Sequence, residues 1–148
     1  MNRTTVRRFD ILEEADLNVA VLTLRTNSLL QVIFSPVEVA GIATVASELG
    51  RNILKYGGGR GYLLVSWVED RSLGASAVEI KAVDEGPGFT DVKAALQDHH
   101  STGGTLGLGL PGAERIMGSL EIENRPGHGA VVTARKWAKV NAKQNRSR

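Results

Sequence analysis

The feature that most restricts how this chain can fold is the stretch 35–59, which carries helix signals at both ends. Ser35 is a capping hydroxyl, Pro36 suits a first helical position, where its missing N–H costs nothing, and Glu38 supplies the reciprocal acid of a capping box. From Val39 the apolar residues recur as Ile42, Ala46, Leu49 and Ile53, one stripe of an amphipathic helix. Gly57, Gly58 and Gly59 stop that helix just past Tyr56. A helix with one apolar stripe has to lay it on a second layer.

Strands supply the layer. Residues 62–68 are rich in β-branched and aromatic side chains, and residues 77–83 alternate Val78, Ile80 and Ala82 with Glu79 and Lys81. The two read as a hairpin joined through 70–76, and residues 120–123 and 130–136 read as a second hairpin around 126–129. All four can share one sheet. Ahead of them, residues 5–9 read as an edge strand, and Asp10 with Glu13 forms a D-x-x-E capping pattern before Leu17, Ala20, Val21 and Leu24 at helical spacing. A short helix through Ile116 and Met117 follows Pro111, and another is expected around 92–96. The order predicts an α+β fold: a two-layer sandwich of helices on one face of a mainly antiparallel sheet.

A chain of 148 residues accommodates one well-buried core, so residues 1–137 are expected to form a single domain and 138–148 a basic, solvated tail. With 42% apolar and 23% charged residues, the composition is that of a globular protein rather than a disordered one. The lack of cysteine removes disulfides, thiolate nucleophiles and cysteine-ligated metals together, and the cytoplasm is the expected compartment. Arg3, Arg7 and Arg8 precede no apolar signal region, and no stretch is long enough to cross a bilayer, so no membrane partner is expected. The net charge of +2 is small, and no aromatics interleave with the basic tail after Trp137, which argues against nucleic acid.

Three groups could carry chemistry. Glu48 and Asn52, four apart, lie on one side of the long helix at the edge of its stripe. An Asn carbonyl suits Mg²⁺, which takes few protein ligands beside phosphates and water, and a nearby Glu can orient or deprotonate a hydroxyl; taken alone, the pair is most often solvated helix surface. Asp84-Glu85-Gly86-Pro87-Gly88 ends an alternating strand, where an acid can accept from an amine such as that of adenine and glycines let a ligand approach the backbone. Its plain alternative is a tight turn. Gly103, Gly104, Gly107 and Gly109 run into Pro111 and a helix, an arrangement offering backbone N–H groups and a favourable dipole to a triphosphate, although a linker is also glycine-rich. No Lys follows those glycines, so this is not a P-loop. His99 and His100 read as surface residues of the same irregular span, His128 as a turn residue, and Trp67 and Trp137 as packing.

Together and in this order, the groups resemble the N, G1 and G2 boxes of the GHKL family of ATP-binding domains, whose Bergerat-type fold matches the expected sandwich. The N box reads 47–56 (SELGRNILKY), the G1 box 84–88 (DEGPG) and the G2 region 101–112 (STGGTLGLGLPG). Within the family the chain is most similar to the partner-switching Ser/Thr kinases of the RsbT type, from about Val6 to the closing Lys136-Trp137. That resemblance implies ATP and Mg²⁺ as cofactors, with Asn52 as the metal ligand, Glu48 as general base and Asp84 on the adenine amine. It further implies that Gly86 and Gly88 line the base pocket, that Gly104, Thr105, Leu106, Gly107, Leu108 and Gly109 meet the phosphates, and that 89–106 form a lid. STAS-domain proteins are implied as phosphoacceptors and a PP2C-type phosphatase as a further partner. The Thr common after the glycine that opens the last strand is here Ala130, which implies weaker or water-mediated support for adenine. A sensor histidine kinase would need a dimerisation helix pair for which the chain has no room. An ATP-dependent anti-sigma or switch module that mainly sequesters its partner is the alternative.

Overall fold

The computed structural model describes residues 1–87, 109–125 and 128–139. Within them the chain runs β1 (Asn2–Ile11), α1 (Glu14–Arg25), α2 (Ser28–Ile33), α3 (Pro36–Tyr56), β2 (Gly61–Asp70), β3 (Ala75–Asp84), α4 (Gly109–Met117), β4 (Ser119–Arg125) and β5 (Gly129–Trp137). The strands form one five-stranded sheet in the order β1-β2-β3-β5-β4, and every neighbouring pair is antiparallel. Both expected hairpins are present, and the β3–β5 pairing joins them. This is the α+β sandwich read from the sequence.

Period-two alternation decides which face the helices cover. In register, Phe9, Leu63, Ala82, Val132 and Ile122 line one row, and Val65, Ile80, Ala134 and Leu120 the next. These residues belong to one core with Leu17, Leu24, Ile42, Leu49, Ile53 and Met117 of the helices. The capping box of α3 forms as expected, Glu38 N–H donating to Ser35 Oγ at 3.2 Å and Ser35 N–H to Glu38 Oε1 at 3.1 Å. That backbone donor of Ser35 is the main reason the Glu38 carboxyl sits below its ordinary pKa.

The buried arc of α3 is wider than the single stripe, adding Ala43, Val45, Glu48 and Gly50. The reason is that α3 is flanked on both sides. A Cβ on Gly50 would lie 2.4 Å from Leu17 Cδ2 of α1, and one on Gly41 3.0 Å from Ile116 Cγ2 of α4, so close helix approach is what these two glycines permit. Lys136 of β5 ties the layers at the far end, donating to the Ile116 carbonyl at 2.8 Å.

One local expectation needs correction, and two further features have no counterpart in the sequence signals. The D-x-x-E pattern at Asp10 does not start α1: Asp10 lies in β1 beside Arg8, and it is Asp16 Oδ2 that accepts from the N–H groups of Leu12 and Glu13 at 2.9 and 3.0 Å. The strand runs on because Phe9 and Ile11 face the core and β2 offers partners as far as Gly61. The six-residue helix α2, capped by Asn27 Oδ1 accepting from Leu30 N–H at 2.9 Å, is too short to have shown a period. Glu79 points to the outer face, as its alternation required, yet is completely buried there. Arg3 clamps it through Nε at 2.8 Å and Nη2 at 3.0 Å, and Arg135 through Nη2 at 2.6 Å. The helix expected around 92–96 and the tail beyond 139 lie outside the described residues.

Candidate functional site

Glu48 sits on α3 at the edge of the core, 8% exposed, so its carboxylate needs partners. Oε1 accepts from the Gly109 N–H at 3.2 Å, and Oε2 lies 3.6 Å from Arg51 Nη1. Gly109 is the first residue of α4, with φ +66°, and a helix start has unpaired N–H groups and a positive dipole end that favour an anion. The sequence reading left this N–H open for phosphate; in the structure a carboxylate of the neighbouring helix holds it.

One turn further along α3, Asn52 is half-buried and its side-chain amide enters no hydrogen bond among the described residues. A short polar side chain at such an edge keeps a carbonyl oxygen and an amide available.

Past the end of α3, the Asp84 side chain is held in a cage of glycines. Oδ1 accepts from Gly86 N–H at 2.9 Å and from Ala130 N–H at 3.2 Å, while Oδ2 takes neither donor. A Cβ on Gly57 would lie 2.6 Å from Asp84 Cβ, and one on Gly86 2.7 Å from the Gly57 backbone. Gly129, at φ +103°, is required twice over: a side chain there would be strained and would lie 2.1 Å from the Asp84 carbonyl oxygen. The loop after β3, the end of α3 and the opening of β5 therefore interlock around one acid.

These contacts place three groups in succession along the length of α3. Glu48 and the α4 N-terminus are at one end, Asn52 follows, and Asp84 is packed against Gly57 at the other; nine helical residues span about 13 Å along the axis. Among the described residues no three His, Asp or Glu side chains gather into a metal site. Gly88, Gly104, Thr105, Leu106, Gly107 and Leu108, and with them the expected lid 89–106 and both adjacent histidines, lie outside the described residues.

Residues 12–136 match the family described as the histidine kinase-like ATPase domain. The chain belongs to that family. It is 39% identical over 127 residues to the serine/threonine-protein kinase RsbT of Bacillus subtilis (strain 168), a match that covers 86% of this chain and 92% of the relative. It is also 27% identical over 103 residues to the anti-sigma F factors of Thermoanaerobacter sp. (strain X514) and Thermoanaerobacter pseudethanolicus (strain ATCC 33223 / 39E), covering 68% of this chain and 71% of each relative. The protein is thus an ATP-using kinase homologue of the RsbT and anti-sigma branch.

Within this histidine kinase-like ATPase, sequence reasoning passed over two participants. Gly57 reads only as a helix stop, whereas it also makes room for Asp84. Arg51 reads as one more residue of the N box, whereas its guanidinium lies 3.6 Å from Glu48 and 3.5 Å from Glu14 Oε1 of α1. The signal available for the second was its i,i+3 spacing from Glu48.

Proposed function

We propose that this histidine kinase-like ATPase transfers the terminal phosphate of ATP to a Ser or Thr of a STAS-domain partner in a cytoplasmic partner-switching stress pathway. The observation that carries the reading is the succession of Glu48, Asn52 and Asp84 along α3, with one acid beside a helix N-terminus and a second whose Oδ2 takes neither of the backbone donors that Oδ1 holds. An adenine amine donating to Asp84 Oδ2 puts the triphosphate towards Asn52 and α4. The 39% identity to a serine/threonine kinase across nearly all of both chains supports the same reading.

The residues fit a nucleotide with magnesium. Among the described residues the Asn52 side chain has no internal partner and no three carboxylates cluster, which suits an ion bound mostly by phosphate and water. Bound there, Mg²⁺ supplies neutralisation of phosphate charge. The chain's own residues do the rest. Asp84 fixes the base, the glycine run 103–109 with α4 receives the phosphates, and Glu48 accepts the proton of the attacking Ser or Thr hydroxyl. A new bond forms between that oxygen and the terminal phosphorus as the bond to the bridging oxygen breaks, releasing ADP. Gly86 and Gly88 border the base, and Gly104, Thr105, Leu106, Gly107, Leu108 and Gly109 border the phosphates.

Partner sequestration is the second reading, favoured by the likeness to two anti-sigma F factors. In it the bound partner, or a PP2C-type phosphatase stimulated by the free protein, matters more than turnover. One experiment separates the two: ATP labelled on its terminal phosphate is incubated with a panel of purified STAS-domain proteins, and modified residues are located by mass spectrometry. Transfer to a Ser or Thr that falls about a hundredfold or more in Glu48→Gln but stays measurable, with nucleotide still bound, supports the kinase. Tight partner binding with no transfer turns the conclusion to sequestration.

A further inference from the structure

We infer that Arg51 is a positioning residue that sets the carboxylate of Glu48 for proton acceptance, a role that rests on Glu48 being the base. Glu48 is nearly buried, and its two oxygens have different partners. Oε1 is tied to the Gly109 N–H at 3.2 Å, so the carboxylate cannot turn about its terminal bond without losing that hydrogen bond. Oε2 is the oxygen not engaged by the backbone, and it faces Arg51 Nη1 at 3.6 Å. That separation is too long for a hydrogen bond and short enough for charge attraction, so the guanidinium orients Oε2 while leaving its lone pairs for a hydroxyl.

Arg51 has a second acidic neighbour. Its Nη2 lies 3.5 Å from Glu14 Oε1 at the start of α1, so the guanidinium sits between two carboxylates. Glu14, Arg51, Glu48 and the Gly109 N–H thus form a chain across α1, α3 and α4, with the base as its third member. Stability does not explain the chain. Arg51 keeps 33% of its side chain exposed and Glu14 69%, and ion pairs of that kind add little to folding. An acid left pointing at a helix N-terminus, by contrast, needs a second constraint to present its other oxygen to an incoming group.

The test uses the full chain, ATP with magnesium, and the STAS-domain protein that the wild type phosphorylates. Arg51→Ala is expected to lower kcat by about ten- to a hundredfold, as loss of reacting-group alignment does, with KM for ATP and the calorimetric affinity for ADP within about twofold of wild type and Tm moved by about 2 °C or less. Arg51→Lys, which restores the charge without the planar fork, should recover part of kcat. The decisive arm is a double-mutant cycle: in the Glu48→Gln background, Arg51→Ala should have no further effect on kcat. Additive losses in the cycle, or a fall in ADP affinity that matches the fall in kcat, overturn the positioning role while leaving Glu48 as base. Full transfer by Glu48→Gln alone instead removes the base on which the role depends.

Discussion

Among single residues, Glu79 shows how misleading a strand's alternation can be when neighbours on the open face are long and charged. Burial is the strongest influence on its carboxyl and works to raise the pKa, but the hydrogen bonds and charges of Arg3 and Arg135 outweigh it and hold the group below its ordinary value. A depressed folded pKa stabilises the fold above the unfolded value near 4.5, and that contribution is lost as pH falls through the folded value. Urea melts at stepped pH should therefore show stability falling below about pH 4.5, and the fall should be shallower in Glu79→Gln. At neutral pH, Glu79→Ala should cost about 3 kcal/mol because it strands Arg135 under the sheet face, a loss readable in the same melts. Glu48 and Asp84 were legible as candidate acids from their motifs. What the motifs could not carry was which oxygen each one spends on the backbone, because those donors belong to Gly109 and Ala130, distant in sequence.

At the level of elements, the site depends on two helices, α1 and α4, meeting α3 at set distances. Gly50 lets α1 come close enough for Glu14 to reach Arg51, and Gly41 does the same for α4 against Ile116. Gly50→Ala is expected to lose about 1–3 kcal/mol through overpacking on Leu17, despite the better helix propensity of Ala. Thermal unfolding measures the loss, and Leu17→Ala in the same chain should recover part of it by opening the space. Boundaries of α3, β3 and β5 followed from caps, glycines and alternation, since those signals are local. The start of α1 did not, because two acid-x-x-acid patterns overlap at Asp10, Glu13 and Asp16, and only pairing of β1 with β2 selects the later one.

For the molecule as a whole, nucleotide and fold should be linked. A ligand that binds only the native state at a hundred times its Kd adds about 2.7 kcal/mol, so Mg·ATP should raise Tm by several degrees for a chain of 148 residues. Asn52→Ala should keep the unliganded Tm, since its side chain supports no described contact, but lose most of the magnesium-dependent rise; scanning fluorimetry with and without chelator reads both. A rise in Asn52→Ala equal to that of wild type removes Asn52 from the metal. Among the described residues no helix is long and apolar enough to cross a membrane.

Periodicity, caps and turn residues were enough to determine the α+β class, the two hairpins and the long helix, because each is written within a few consecutive residues. Only the tertiary structure decided that Glu79 is buried, that Glu48 caps α4, that glycines at 57, 86 and 129 close around Asp84, and that Arg51 links Glu14 to Glu48. Each of these depends on groups far apart in the chain, brought within a few ångströms when one apolar face is covered by another.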